Sequence, residues 1–218
     1  MSAAGKSIII ANGDFVYNDR IKKKIESAGR IVCADGGANH LVHINVTPDL
    51  ILGDLDSVLP ETLEYFKGVE VIKDTDKFRT DMMKAFDYEI DQGTAELLIL
   101  GATGGRIDHT LANLSLLNSY ADLIKITIVD DHSEILFIKD SFTFESVIGR
   151  KLSLMVIGGN SSLTTSDLKW ELHGESQQFS PFGISNEVAN SPVTIEVEGD
   201  GLFLFNLFEM SDGTPINE

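Results

Sequence analysis

Up to about residue 130 short β-branched runs alternate with helix-like segments, and beyond about residue 140 that alternation stops. This change of rhythm constrains the fold more than any other feature of the chain. Strand-like runs at Ser7–Ala11, Arg30–Ala34, Leu50–Leu52, Val69–Ile72, Glu96–Leu100 and Lys125–Val129 are interleaved with helical patterns at Asp19–Ala28, Pro60–Phe66, Thr80–Ile90 and Asp108–Tyr120. Met83, Phe86 and Ile90 give the third of these helices its apolar spacing. Strands joined through helices predict a parallel, doubly wound α/β sheet. Further on, Lys151–Ile157, Leu168–Leu172, Val193–Val197 and Leu202–Leu207 alternate in polarity and are separated by glycine-rich turns such as Gly199-Asp200-Gly201. That pattern predicts an antiparallel β-sandwich or partial barrel. Two domains are therefore expected, 1–140 and 141–218, with the polar end Ser211–Glu218 frayed.

Charge narrows the partners. With 34 Asp and Glu against 17 Lys and Arg, a net charge of −17 argues against a nucleic-acid backbone or an anionic membrane surface. An acidic protein that handles phosphates needs metal ions, and it tolerates a cationic second substrate. The lone cysteine, Cys33, has no internal disulfide partner and sits inside Ile31-Val-Cys-Ala34, which suits a buried small hydrophobe in a reducing compartment. The apolar run Ile8-Ile-Ile-Ala11 stops at Asn12-Gly13-Asp14, too soon for a signal peptide or membrane span. A cytoplasmic protein is expected.

In open α/β sheets ligands bind beyond the carboxyl ends of the strands. Five of the six expected strands end in polar loops: Asn12-Gly13-Asp14, Asp35-Gly36-Gly37, Gly53-Asp-Leu-Asp-Ser57, Asp74-Thr-Asp-Lys-Phe-Arg-Thr-Asp81 and Gly101-Ala-Thr-Gly-Gly-Arg-Ile-Asp-His109. The last can cradle a phosphate. Gly104 and Gly105 tolerate positive φ, the following helix start favours an anion, and Arg106 supplies a planar fork. The same turn could also be a plain strand-to-helix connector. In an extended segment Asp54 and Asp56 point the same way, and two carboxylates in one space call for a cation such as Mg²⁺; the alternative is an Asx-rich turn. Asp81 could be simply the first-turn acid of a helix capped by Thr80, and Asp108 an ordinary N-cap. Asp35 follows a buried strand and needs a metal, an arginine or backbone donors as partner. His109 and Asn113 lie one helical turn apart.

Taken in order, Asp35-Gly-Gly-Ala-Asn39, Gly53-Asp-Leu-Asp-Ser57, Thr80-Asp81 and Gly104-Gly-Arg-Ile-Asp-His109 with Asn113 resemble the thiamine pyrophosphokinase family. Leu168-Lys-Trp-Glu-Leu172 and Gly183-Ile-Ser-Asn-Glu187 extend the resemblance into the second half. The resemblance implies an α/β catalytic domain followed by a β-sandwich, and a homodimer with active sites shared between subunits. It implies transfer of diphosphate from ATP to the hydroxyl of thiamine. By the same resemblance Asp54, Asp56 and Asp81 hold Mg²⁺, and Asp35, Arg106 and Asp108 complete the catalytic set. Asn12, Lys77, Arg79, Thr80, Gly104, Gly105, Arg106, His109 and Asn113 are the implied ATP-binding residues. Trp170 stacks on thiamine, with Ser185 and Asn186 near its aminopyrimidine; without the resemblance, Trp170 reads as a sandwich-core residue. Phe78 stands where many relatives carry a polar or acidic residue, and His109 where some carry Gln. Two other readings are a diphosphokinase for a hydroxymethyl pterin and a non-catalytic nucleotide sensor. The sensor would have little need of Asp54, Asp56 and Asp81 together.

Overall fold

The structure, a computed structural model, describes residues 5–208, so Ser211–Glu218 lies outside the described residues. By its contacts the chain divides into two units after Asp130. The first contains β1 (Lys6–Ile10), α1 (Asp19–Glu26), β2 (Arg30–Ala34), α2 (Ala38–Ile44), β3 (Leu50–Gly53), α3 (Pro60–Tyr65), β4 (Glu70–Lys73), α4 (Asp81–Asp91), β5 (Glu96–Leu100), α5 (Ile107–Tyr120) and β6 (Lys125–Val129). These strands are all parallel, in the order β6-β5-β1-β2-β3-β4. Ile8, Ile9, Ile10, Leu50, Ile51, Leu97 and Ile99 are sealed from solvent, which is why the central strands read as continuous apolar runs rather than alternating ones. The chain steps outward from β1 to β4, then returns to the other side of β1 with β5. The sheet's topological switch point therefore lies between β1 and β5.

Two local readings change. A helix absent from the sequence reading, α2, starts straight after a single 3₁₀ turn at Asp35–Gly37. The strong strand and the two glycines mask so short a helix. On α4 the buried face carries Met82, Lys84, Ala85, Phe86 and Glu89, so of Met83, Phe86 and Ile90 only Phe86 is fully buried. The true stripe was hidden because two of its members are charged.

The second unit holds β7 (Ser133–Ile138), β8 (Phe142–Phe144), β9 (Lys151–Met155), β10 (Ser161–Ser166), β11 (His173–Gln177), β12 (Asn186–Glu187), β13 (Val193–Gly199) and β14 (Leu202–Leu207). They form two antiparallel sets, β12-β9-β14-β7 and β11-β10-β13-β8. Alternate residues of both sets, among them Leu152, Leu154, Leu204, Leu163, Val193 and Ile195, share one apolar core. The expected β-sandwich is present. The segment Leu168–Leu172 is not a strand: Asp167 turns at φ 69°, and of these residues only Leu168 forms a β-bridge, an isolated one with Val188. The division into units precedes β7 rather than following it, because Ser133–Ile138 pairs with β14 along its whole length.

Candidate active site

At the switch point, the exits of β1 and β5 open a cleft of about 790 Å³. Asn12, Gly13 and Asp14 wall it on one side, Gly101, Ala102, Gly104, Gly105, Arg106 and Asp108 with His109 and Asn113 on another, and Thr80 and Asp81 at the start of α4 on a third. The walls meet because Gly13 donates its N–H to Gly101 O (2.7 Å) and Asp14 to Thr103 O (2.8 Å). A Cβ on Gly13 would collide with both carbonyls, so glycine is required there. Gly104 and Gly105 adopt φ of 80° and 58°, the left-handed turn expected of an anion cradle.

α5 begins at Ile107 with Arg106 at the cap position, so Asp108 lies in the first turn and does not cap the helix. Arg106 Nε donates to Asp108 Oδ1 (3.1 Å), and its terminal nitrogen bonds Oδ2. The arginine holds the exposed Asp108 carboxyl down at about 2. Their fork is thus preassembled at the mouth of the cleft. Asn113 Nδ2 props the Ala102 carbonyl (2.8 Å), and Thr80 caps α4 by accepting from Met83 N (3.2 Å).

Next to this cleft lie the acids. Among the described residues, one carboxylate oxygen each from Asp35, Asp54 and Asp81 falls within 4.8 Å of the others. Asp35 sits at φ 48° and is buried; Ser57 N donates to its Oδ2 (3.1 Å), while Oδ1 is buried without a hydrogen-bond partner. Burial pushes its carboxyl above the ordinary aspartate range, against the hydrogen bonds from Ser57. Asn39 clamps the loop after β3 by donating to Ser57 O (2.9 Å) and accepting from Leu59 N (3.1 Å). An orphaned carboxylate oxygen among three hard donors fits a divalent cation such as Mg²⁺.

Asp56 is not in this cluster. The expected alternation fails because Leu55 takes φ 64°, which turns the chain between the two acids; Asp54 Oδ1 accepts from Asp56 N (3.2 Å), and Asp56 accepts from Ser57 Oγ (3.0 Å). The Asx-turn reading is therefore realised, with Asp54 still in the cluster. Lys77, exposed, bonds Asp54 Oδ2 and draws the Asp54 carboxyl below its usual range. Arg79 is engaged by three acids, Asp74 (2.8 Å), Asp76 (2.9 Å) and Asp87 (3.1 Å). Neither Lys77 nor Arg79 lines the cleft; between them Phe78 is fully solvent-exposed. The sequence reading missed Asp14 and His40 as cleft residues. His40 stacks on Phe15 (5.1 Å) and has a buried, unpartnered Nε2, and burial lowers its pKa. The signal was present, since Asp14 ends the polar loop after β1 and His40 directly follows Asp35-Gly-Gly-Ala-Asn39.

In the second unit Trp170 is 52% exposed, which excludes the sandwich-core reading. Its backbone is clamped by the buried Asn186: Trp170 N donates to Oδ1 (3.2 Å) and Nδ2 donates to Trp170 O (2.7 Å). Ser185, at φ 58°, donates its N–H to Ser153 Oγ (3.0 Å). Asn186 thus presents the ring, with its own amide committed to the backbone. The Lys169 ammonium stands 4.9 Å from the ring centre, so this aromatic face already receives a cation. Phe179, Phe182 and Ile184 are also exposed, in the segment leading to Ser185.

A family model described as thiamin pyrophosphokinase, catalytic domain, matches residues 21–128, and one described as thiamin pyrophosphokinase, vitamin B1 binding domain, matches residues 141–202. Thiamine pyrophosphokinase 1 of Arabidopsis thaliana is 31% identical over 225 residues, covering 87% of this chain and 84% of that protein. Thiamine pyrophosphokinase 1 of Oryza sativa subsp. japonica is 30% identical over 207 residues, covering 81% and 78%. The crystal structure of thiamine pyrophosphokinase from Bacillus subtilis superposes with a TM-score of 0.83 over 94% of this chain and 100% of that one. At 23% identity that likeness speaks for the fold alone. With both halves matched in order, and relatives at this identity aligned along most of their length, the chain belongs to the thiamine pyrophosphokinase family.

Proposed function

We propose that this chain is a thiamine diphosphokinase, which transfers the terminal diphosphate of ATP to the hydroxyl of thiamine and releases AMP. The observation that carries the reading is that Asp35, Asp54 and Asp81 converge beside the glycine-turned cleft, with Asp81 common to both. Asp35, Asp54 and Asp81 would hold Mg²⁺, with Asp56 adjoining them in the same loop. When bound, the ion neutralises phosphate charge.

The chain's own residues supply the rest. Diphosphoryl transfer asks mainly for alignment and charge stabilisation. The Gly104-Gly105 turn and the start of α5 direct backbone N–H groups towards phosphate, Arg106 adds a bidentate fork steadied by Asp108, and Asn12, Thr80, His109 and Asn113 complete the nucleotide walls. Lys77 reaches a phosphate only by leaving Asp54, and Arg79 acts by fixing the loop that carries Lys77 and Thr80. Thiamine brings a cationic thiazolium. The face of Trp170 offers it about 0.5–2 kcal/mol, depending on desolvation. We further infer a homodimer in which the first domain of one subunit and the second domain of its partner build each active site. What supports this is that the cleft is open and Trp170 is half-exposed, each a wall short of an enclosed site. The cytoplasm is the compartment assigned, in keeping with the buried free thiol of Cys33; among the described residues no helix is long and apolar enough to cross a membrane.

The test is direct. Protein incubated with Mg-ATP and thiamine should yield AMP and thiamine diphosphate in equal amounts, and a hydroxymethyl pterin in place of thiamine should yield no AMP. Formation of ADP, or of AMP without thiamine diphosphate, would refute the reading.

A further inference from the structure

We propose that Lys84 is a positioning residue for the acid cluster, fixing the Asp81 carboxylate so that one oxygen is committed to the protein and the other is offered to a divalent cation. The inference rests on the function proposed above and deepens it. Lys84 is three residues after Asp81 on α4, and its side chain is 2% exposed. An ammonium so buried is costly unless it is paired and hydrogen-bonded. Here it is both: Nζ donates to Asp81 Oδ1 (2.8 Å) and to the Asp74 carbonyl (2.9 Å).

Both partners belong to the frame of the site. Asp74 donates its own N–H to Gly53 O (2.8 Å), so the carbonyl that receives Lys84 sits on the strap joining the exits of β3 and β4. Asp54 N also donates to Asp81 Oδ1 (3.2 Å). Both hydrogen bonds that Asp81 accepts therefore fall on Oδ1, and neither on Oδ2. One ammonium thereby locks the first turn of α4, the loop carrying Asp54 and the exit of β4 into one arrangement. Its charge also offsets the mutual repulsion of Asp35, Asp54 and Asp81, which need a cation if they are to stay close. Lys77 cannot do this job. It is 72% exposed and can leave Asp54, whereas Lys84 is enclosed and held by two hydrogen bonds. A simple tie between a helix and a loop would not need a buried charge; an apolar side chain of the same length would fill the space.

The experiment measures Mn²⁺ binding by electron paramagnetic resonance, with α,β-methylene ATP as the non-transferable nucleotide, in the full chain. In Lys84→Met the dissociation constant for Mn²⁺ should rise at least tenfold, while that for the nucleotide without metal changes less than threefold. Because the effect is exerted through Asp81, adding Lys84→Met to Asp81→Asn should change Mn²⁺ affinity less than twofold. Lys84→Gln, an uncharged donor, provides the same readout if the methionine variant does not fold. Parental Mn²⁺ affinity in a folded variant that has lost only thermal stability would reduce Lys84 to a structural tie and overturn the proposal. So would a full additive loss in the Asp81→Asn background, or failure of both Lys84 variants to fold. Product formation by the parent, measured alongside, judges the proposed reaction separately: an inactive parent refutes the reaction, while the Mn²⁺ titrations still decide the role of Lys84.

Discussion

Arg30→Met should destabilise the first unit by about 3 kcal/mol and leave catalysis unchanged. Arg30 opens β2 at the amino end of the sheet, opposite the site. Its Nε lies 3.2 Å from Oε1 of Glu89, which is wholly buried on α4. The other Glu89 oxygen accepts from Thr94 Oγ1 (2.8 Å), and that hydroxyl also pairs with Ser7 Oγ (3.3 Å). Removing the arginine strands a buried carboxylate with one hydroxyl donor. Breaking a buried pair in this way costs about 3–5 kcal/mol, and the lower end applies because the Arg30 side chain is 30% exposed and water already reaches it. Glu89→Gln is the milder change. It keeps the volume and the Thr94 contact, and the arginine it leaves behind still bonds Tyr88 OH (3.3 Å) and lies over the Tyr88 ring. Loss of the ion pair there, which approaches at 3.2 Å without making a hydrogen bond, should cost about 1.5 kcal/mol. Urea unfolding is best followed by circular dichroism at the helix band, since every α-helix among the described residues belongs to the first unit. With a urea slope of about 2 kcal/mol/M, the midpoint should fall by about 1.5 M in Arg30→Met and by half of that in Glu89→Gln. Equal shifts, or a larger one in Glu89→Gln, would refute the argument from the stranded charge. A fall in kcat at a temperature where both variants are folded would refute the separation of the two ends of the sheet.

Other outcomes follow from the same geometry. Gly104→Ala should raise KM for ATP more than Gly105→Ala does: both pay left-handed strain of about 1–2 kcal/mol, but only a Cβ at Gly104 strikes Asp14, and steady-state kinetics will rank them. Arg106→Lys keeps charge but loses the fork, so kcat should drop at least tenfold with the melting temperature little changed; parental turnover in that variant would exclude a bidentate role. Burial pushes the Cys33 thiol far above its ordinary range, so a thiol reagent at pH 8 should label it only in urea, and rapid labelling of native protein would show that the β2 core opens. Mixing inactive Asp54→Asn with inactive Trp170→Ala subunits should restore some activity if sites are shared across the dimer, and verified subunit exchange without recovery would place each site within one chain.

Where the sequence was informative, a single physical period decided the element. Ile8 to Ile10 and Leu97 to Leu100 are buried on both faces, so composition alone marks them as central parallel strands, and the loop that follows each must lie at the ligand edge. The Gly101–His109 turn was legible for the same reason: its glycines adopt the positive φ that their sequence permits. Leu168–Leu172 misled because alternation of Leu, Trp and Leu reads as a strand, while Asp167 reverses the chain immediately before it. Five residues of pattern cannot report a left-handed residue at their edge.

The acid cluster shows the limit more sharply. Alternation along an extended segment is a sound rule for Asp54 and Asp56, but it presumes extended backbone at the residue between them, and Leu55 at φ 64° is conformationally uncommon for a leucine. Such a conformation persists only where surrounding contacts impose it. Here Ser57 N on Asp35, Asn39 on Ser57 and Leu59, and Asp54 N on Asp81 pin the loop from three other elements. Each of those contacts spans about 20 residues or more of sequence, so local pattern could not supply them. The same long-range frame exchanges Asp56 for Asp35 in the observed cluster and places Lys84 behind Asp81. A charged residue on the buried face of an amphipathic helix is the one local sign that such a frame exists, and on α4 that sign is Lys84 on the site side and Glu89 at the opposite end. The first pairs with an acid of the cleft and the acid cluster, the second with an arginine at the far end of the sheet, which is why the two charges are expected to respond differently to metal.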